Sequence, residues 1–543
     1  MIQFSDGCSI LERVERHAIE RPDENAFVYI SDRSNPGQAL SWSELWARSA
    51  FISDSLPVSS VKQPLGVLLF CRNDLHFIIG LLAIWMRGGF AIPGTGSLNR
   101  KILERNIHIL DASRPNIILH DLTDFELEKL RPNAGGAVFQ RIEPLSSDKA
   151  RSSHALCQRG GGVVQFSSGT TSAPKAIVLT EQMIVENCKA IASSYNLSPE
   201  SVGVNWLPLH HDMGLVGSVI SALWSGALSV LLKPTLFIQN PLSWLSTINN
   251  WRATSISAPN FAYASLVHAA QSGLPDDIDL SCLKTAVIGG EPVRRATVEG
   301  LIETFETVGL SPDALAPCYG LAEATLLVSS GQRRGGPVFD NDDTALLGSP
   351  IDALKVEVWR DGLQCADGEE GEVVLSGRSV GHIVPIGKDW RSFANQHTAP
   401  PVFSGDFGFV KDGELCVTGR KANKIILRGR NIFAEDVEGI AQAAVPEMVP
   451  GGVAAFGIAQ DSTEGLCILI EVRKSQEFNH LSELNSQVGS RLGVKLSRIV
   501  ILRNASLPRT SSGKVIRAAA RDLLIKGALK ERTREDVIQT NHR

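Results

Sequence analysis

Short apolar runs recur along this chain, and longer amphipathic stretches lie between them. LGVLLF at 65–70, NIIL at 116–119, GVVQF at 162–166, SVLL at 229–232, TSISA at 254–258 and TAVIGG at 285–290 are short and rich in leucine and β-branched residues, as strands buried on both faces are. Their alternation with helical periodicity predicts an α/β architecture with mostly parallel strands. After about residue 350 the texture changes. LKVEVWRDG, GEEGEVVLSG and FVKDGELCVTG read as strands joined by Asp-Gly and Gly turns. Beyond Arg420 it changes again, to IILRG, a helix from Ala434, GVAAFGI, LCILIEV, a helix over 481–493 and RIVIL. The pattern predicts a large multi-sheet α/β N-terminal domain, residues 1–420, and a smaller α+β C-terminal domain, residues 421–543. The charged stretch 419–424 is the expected linker.

One segment imitates a membrane span. From Met213 to Leu232 there is no charge, and the length suffices to cross a bilayer. Ser225-Gly226 breaks it, however, into a helix-like half and the β-rich LSVLL, with Asp212 and Lys233 close on either side. A buried helix followed by a buried strand is the expectation, so no membrane span.

At 543 residues the chain exceeds what one hydrophobic core organises, which supports two domains. The net charge of −5 gives no electrostatic case for nucleic acid or an anionic membrane as partner. None of the nine cysteines forms a CxxC pair, so neither a zinc site nor a disulfide framework is suggested. Reduced cysteines and an N-terminus without a basic-then-apolar pattern point to a cytoplasmic protein.

The first chemistry follows the run VVQF: Ser167, Ser168, Gly169, Thr170, Thr171, Ser172, Ala173, Pro174 and Lys175. Hydroxyls, a glycine and a lysine on one turn supply donors, close backbone approach and positive charge, which polyphosphate binding needs. Alone, the string would read as a polar surface turn. It is followed by Tyr319-Gly320-Leu321-Ala322-Glu323-Ala324-Thr325, Ser404-Gly405-Asp406, Gly419-Arg420 and Pro508-Arg509-Thr510-Ser511-Ser512-Gly513-Lys514. These five motifs, in this order and at these distances, resemble the adenylate-forming superfamily of acyl-CoA ligases, luciferases and nonribosomal adenylation domains. Within it, Asn205 to Leu215 (NWLPLHHDMGL) and Gly289 to Arg294 (GGEPVR) look most like the fatty acyl-AMP ligases.

The resemblance implies that the C-terminal domain is mobile, and it implies roles for single residues. Residues 167–175 would hold the β- and γ-phosphates of ATP, Tyr319 and Gly320 would lie by the adenine, and Gly290 and Glu291 would also face the nucleotide. Glu323, with Thr170, would hold Mg²⁺ through hard oxygens. Asp406 would accept the ribose hydroxyls with Arg420 assisting. His211, Met213, Gly214 and Ala322 would border the acyl group, with His211 between it and the adenylate. Trp206, Leu209, Met213, Leu215 and Phe261 suggest an apolar pocket, and core packing explains them equally well. Lys514 would neutralise charge as carboxylate attacks the α-phosphate.

Three departures shape the expected activity. Only twenty-eight residues, polar and Gly-rich, separate Thr325 from Leu354, whereas fatty acyl-AMP ligases carry an extra apolar segment there. That spacing resembles the acyl-CoA ligases. Ser172 and Ala176 stand where those ligases carry glycine, and a Cβ there restricts positive φ and close phosphate approach. The hinge position, usually aspartate or lysine, is Ala422. The leading expectation is therefore an ATP-dependent ligase that converts a hydrophobic carboxylic acid to acyl-AMP and passes the acyl group to CoA. One alternative is catalysis of the second half-reaction alone, on acyl-AMP supplied by a companion adenylating enzyme. The other is loading of an acyl carrier protein.

Overall fold

The computed structural model describes residues 9–32, 37–72, 74–96, 100–142, 160–166, 175–275, 277–340, 344–385, 387–427, 430–460, 463–472, 481–510, 513–529 and 537–539. Every short apolar run named above is a strand. Gly66–Phe70, Phe90–Pro93, Ile117–His120 and Gly162–Phe166 lie in one seven-stranded sheet; Leu228–Leu232, Ser255–Ala258 and Thr285–Ile288 lie in another of eight. The central pairings in both are parallel, with antiparallel strands toward the edges.

The helix Asp74–Met86 explains how the two sheets meet. Its sequence DLHFIIGLLAIWM is apolar on every side, and Leu75 and every residue from Phe77 to Met86 are buried. A helix without a polar face needs cover all round. It touches Gly66–Phe70 and Phe90–Pro93 of one sheet and Asn25–Ile30 of the other. Glu181–Ser194 is likewise packed between strands of both sheets.

The apolar segment that imitates a membrane span divides as expected. Met213–Ile220 is a π-helix, Ser221–Ser225 continues it as α-helix, and Gly226 at φ +77° ends it. Leu228–Leu232 is then an interior strand between Val202–Asn205 and Asn25–Ile30. No described helix is long and apolar enough to cross a membrane.

Residues 354–420 form a five-stranded antiparallel sheet ending in Glu414–Arg420. The chain beyond it builds cores of its own. Two strands, Lys424–Leu427 and Arg430–Phe433, precede the helix Ala434–Ala444. The four-stranded sheet of Met448–Gln460, Thr463–Val472, Leu496–Arg503 and Val537–Gln539 has separate apolar clusters on its two faces. Residues 419–424 are not a loose tether. Gly419 and Arg420 finish one strand, Lys421–Asn423 make a single 3₁₀ turn, and Lys424 begins the next strand.

Candidate active site

A cavity of about 1610 Å³ is lined from both parts of the chain, by Tyr319, Glu323 and Asp406 on one side and Lys514 on the other. Its polar floor is built by strand pairing. Asp406 and Arg420 face each other across the antiparallel pair Val402–Lys411 and Glu414–Arg420, which places Arg420 Nε 2.7 Å from Asp406 Oδ1. Tyr319, near the end of Leu315–Gly320, donates its hydroxyl to Asp406 Oδ2 at 2.6 Å. Asp406 is only 5% exposed, so both bonds act in a poorly screened setting. Burial and the Asp406 charge push the Tyr319 phenol well up, keeping it a donor, and the same carboxylate raises Arg420. Tyr319 is thus tied through its hydroxyl to the residue expected to hold ribose. Gly320 is needed beside it, because a Cβ there would sit 2.3 Å from the Leu326 carbonyl oxygen.

Ala322 and Glu323 lie on the 3₁₀ turn Ala322–Ala324 and line the cavity. Burial raises the Glu323 carboxyl above its ordinary value. Among the described residues no three His, Cys, Asp or Glu side chains cluster as a metal cage. A magnesium ion carried by phosphates does not need one, since one or two carboxylates suffice. Glu323, half-buried at the cavity wall, fits that requirement.

The HHDMG segment turns on Pro208, whose carbonyl accepts the His211 N–H at 3.1 Å. Asp212 caps the π-helix, Oδ1 accepting the Met213 N–H at 2.8 Å. The His210 and His211 rings lie 4.5 Å apart. Burial, with Arg105 nearby, lowers His210 to about 3; burial and the neighbouring cations hold His211 far below its usual value. Both imidazoles are therefore neutral at physiological pH. His211 and Met213 line the cavity. Gly214 packs instead on Pro208, where a Cβ would approach the carbonyl oxygen to 2.3 Å, and Gly217 is the glycine of this helix on the wall. Phe261 also lines the cavity, whereas Trp206, Leu209 and Leu215 are 2%, 4% and 0% exposed. Trp206 stacks on Phe237 at 4.0 Å. Core packing, not substrate, accounts for those three.

Lys514 reaches the cavity from the far side, its Nζ donating to the Gly290 carbonyl. Gly290 has φ +73°, and a Cβ there would meet both Lys514 Nζ and Met213 Sδ at 3.2 Å. Glu291 accepts the Phe261 N–H, and burial raises its carboxyl. The Lys514 loop is held from behind. Arg509 donates to the carbonyls of Gly451 at 3.1 Å and Gly513 at 3.0 Å, and pairs with fully buried Glu471 at 2.7 Å. Glu471 also accepts the Leu507 N–H at 2.6 Å. Gly451 and Gly513, both at positive φ, abut the Phe261 ring, and Arg294 donates to the Glu435 carbonyl at 2.5 Å. The sequence marked neither Glu471 nor Arg294 for this; a glutamate inside the apolar run LCILIEV was the available signal.

Ser167, Ser168, Gly169, Thr170, Thr171 and Ser172 lie outside the described residues. Lys175 is exposed and lines the cavity. Ala176 escapes the part of the objection that concerns positive φ. It opens strand Ala176–Thr180, pairs with Phe166, and is not among the residues at positive φ.

The family model described as AMP-binding enzyme matches residues 14–382, more than half of the chain. The chain belongs to that family. It is an adenylate-forming ligase, and its nucleotide is ATP, converted to AMP. The medium-chain-fatty-acid–[acyl-carrier-protein] ligase JamA of Moorena producens is 29% identical, over 93% of each chain. The long-chain-fatty-acid–AMP ligase FadD26 of Mycobacterium marinum is 27% identical, over 94% of this chain and 96% of the other. A solved structure from a study of fatty acyl-adenylate ligases of E. coli and L. pneumophila matches with a TM-score of 0.79 at 25% identity, covering 96% of this chain and 98% of that one.

Proposed function

We propose that this ligase activates a fatty acid as its acyl-adenylate and delivers the acyl group to the phosphopantetheine thiol of an acyl carrier protein. The observation that carries the first step is the placement of Lys514 at Gly290, across the cavity from Tyr319, Asp406 and Glu323. Asp406, oriented by Arg420 and Tyr319, would receive the ribose hydroxyls. A carboxylate oxygen of the acid attacks the α-phosphorus and pyrophosphate leaves, while the Lys514 ammonium offsets the charge gathering on the phosphoryl oxygens. Magnesium, held by Glu323, would neutralise the departing pyrophosphate. Neutral His211 adds no charge beside the acyl carboxylate. In the second step a thiol attacks the acyl carbonyl, a C–S bond forms, and AMP leaves. That step needs no ammonium at the pyrophosphate site, so we assign residues 421–543 a second orientation, reached by rotation at Lys421–Asn423.

The carrier protein is preferred as acceptor because both named relatives are fatty-acid ligases, one of them charging a carrier protein. Free CoA is the second reading, favoured by the short stretch between Thr325 and Leu354. The two thiols are chemically alike, so competition decides. The ligase is given ATP, Mg²⁺, a panel of fatty acids and equal concentrations of CoA and holo-carrier protein, and the thioesters are identified by mass. Acylated carrier protein in excess supports the first reading; acyl-CoA in excess replaces it with the second.

A further inference from the structure

The wall of the cavity away from the nucleotide floor is apolar at Ile191, Val287 and Leu326, yet polar residues interrupt it, Asn205 and Tyr195 among them. Asn205 ends strand Val202–Asn205, whose pairing with Ser255–Ala258 is confined to Ser255 and Gly203. Beyond that point the Asn205 side chain takes over the ladder. Its Oδ1 accepts the Ser257 N–H at 3.0 Å and the Ser257 hydroxyl at 2.9 Å. A backbone N–H must face the amide oxygen, so the orientation of the amide is fixed and Nδ2 points its two donors elsewhere. Nδ2 makes no hydrogen bond among the described residues, although Asn205 is 5% exposed and lines the cavity.

Tyr195 follows the helix Glu181–Ser194 and lines the same cavity at 8% exposure. Its hydroxyl is sealed from the cavity between the Ser330 hydroxyl and the Cys318 thiol, so of the two only Asn205 offers the cavity an unpaired donor. Burial raises both this phenol and the neighbouring Cys318 thiol, the latter to about 12, so both stay protonated. A plain alkyl chain filling this space would leave the Asn205 donors dry and unpaired. A chain bearing oxygen would pair them.

We propose that the acid this chain selects is oxygenated along its chain, with a hydroxyl or keto oxygen accepting from Asn205 Nδ2, rather than a plain alkanoic acid. The proposal rests on the acid-activating reading above and deepens it. It is tested on the full chain with straight-chain alkanoic acids, their hydroxy and keto counterparts of equal length, and a phenylalkanoic acid beside its para-hydroxy form. Calorimetric Kd and ATP-dependent pyrophosphate release are measured separately. Oxygenated acids should be favoured roughly tenfold or more in both, the usual consequence of pairing rather than stranding a buried donor. Asn205→Asp keeps the oxygen that Ser257 needs and removes the amide donors. This variant should move the preference ratio toward one. Equal or better binding of plain alkanoic acids by the unmodified chain overturns the inference, as does a ratio that Asn205→Asp leaves unshifted. Absence of pyrophosphate release with every acid would instead contradict the acid-activating reading, and the Kd ratio would still decide this one.

Discussion

Replacing Glu471 by glutamine tests whether the Lys514 loop owes its position to the buried pair behind it. Glutamine keeps the shape and an oxygen for the Leu507 N–H, but turns toward Arg509 an NH₂ group that cannot accept. The lost charge-assisted bond is worth about 1.5–3 kcal/mol. Two effects offset part of that: a carboxylate no longer has to be desolvated at 0% exposure, and Arg509, 26% exposed, can turn to water. A net destabilisation of about 1–2 kcal/mol remains, and melting of the C-terminal domain should fall by roughly 5 °C or more. With Arg509 slack, Gly513 loses a carbonyl contact at 3.0 Å and Lys514, the next residue, loses its fixed approach to Gly290. Loosening worth about 1–1.4 kcal/mol slows acyl-adenylate formation about five- to tenfold. Consumption of supplied acyl-adenylate should change less than about twofold, because it does not use Lys514. The assay compares pyrophosphate release from free acid with thioester formation from synthetic acyl-adenylate, at a temperature where circular dichroism shows the variant folded. Equal losses in both half-reactions, or no loss in either despite lowered melting, would refute the argument.

Lys514→Ala should cut acyl-adenylate formation by about 10²–10³ while shifting melting little, because a half-exposed side chain loses one carbonyl contact; an unchanged rate of pyrophosphate release removes Lys514 from the chemistry. Tyr319→Phe strips Asp406 of one of its two side-chain donors and should raise KM for ATP roughly tenfold with kcat nearly kept; an unaltered KM would separate this pair from nucleotide binding. His210 and His211 have folded pKa values below the ordinary 6.5, so below that pH the unfolded chain binds more protons and stability is lost as pH falls. The slope should reach up to about 1.4 kcal/mol per pH unit for each imidazole. Melting recorded from pH 7.5 to 5 should slope less in His210→Asn and His211→Asn than in the unmodified chain, and equal slopes would contradict the buried neutral state.

The α/β core was legible because its strands are buried on both faces and show as unbroken apolar runs; GVVQF and TAVI are strands at Gly162–Phe166 and Thr285–Ile288. Spatial order was not. Asn25–Ile30 sits beside Leu228–Leu232, two hundred residues on, and nothing local in NAFVYI announces that neighbour. Within the site, Asp406 and Arg420 belonged to recognisable strings, and their meeting depends on a register set by the turn between their strands. Trp206, Leu209 and Leu215 were ambiguous because an apolar pocket and an apolar core call for the same residues. Ala176 was misjudged for a different reason. A glycine habitually found at a position suggests positive φ, but only the backbone shows whether that conformation is used. Asn205 was visible only as the first residue of NWLPLHHDMGL, and its free amide donors emerge only once every neighbour is placed.

The central claim is that this one chain makes acyl-adenylate from free acid. Purified protein is mixed with ATP, Mg²⁺ and a fatty acid without acceptor, quenched, and examined by mass spectrometry for acyl-AMP, with pyrophosphate measured in parallel. The account predicts acyl-AMP and pyrophosphate in equal amounts, dependent on Lys514, with no second enzyme present. Thioester formed only when synthetic acyl-AMP is supplied, with no acyl-AMP from any free acid, would contradict it.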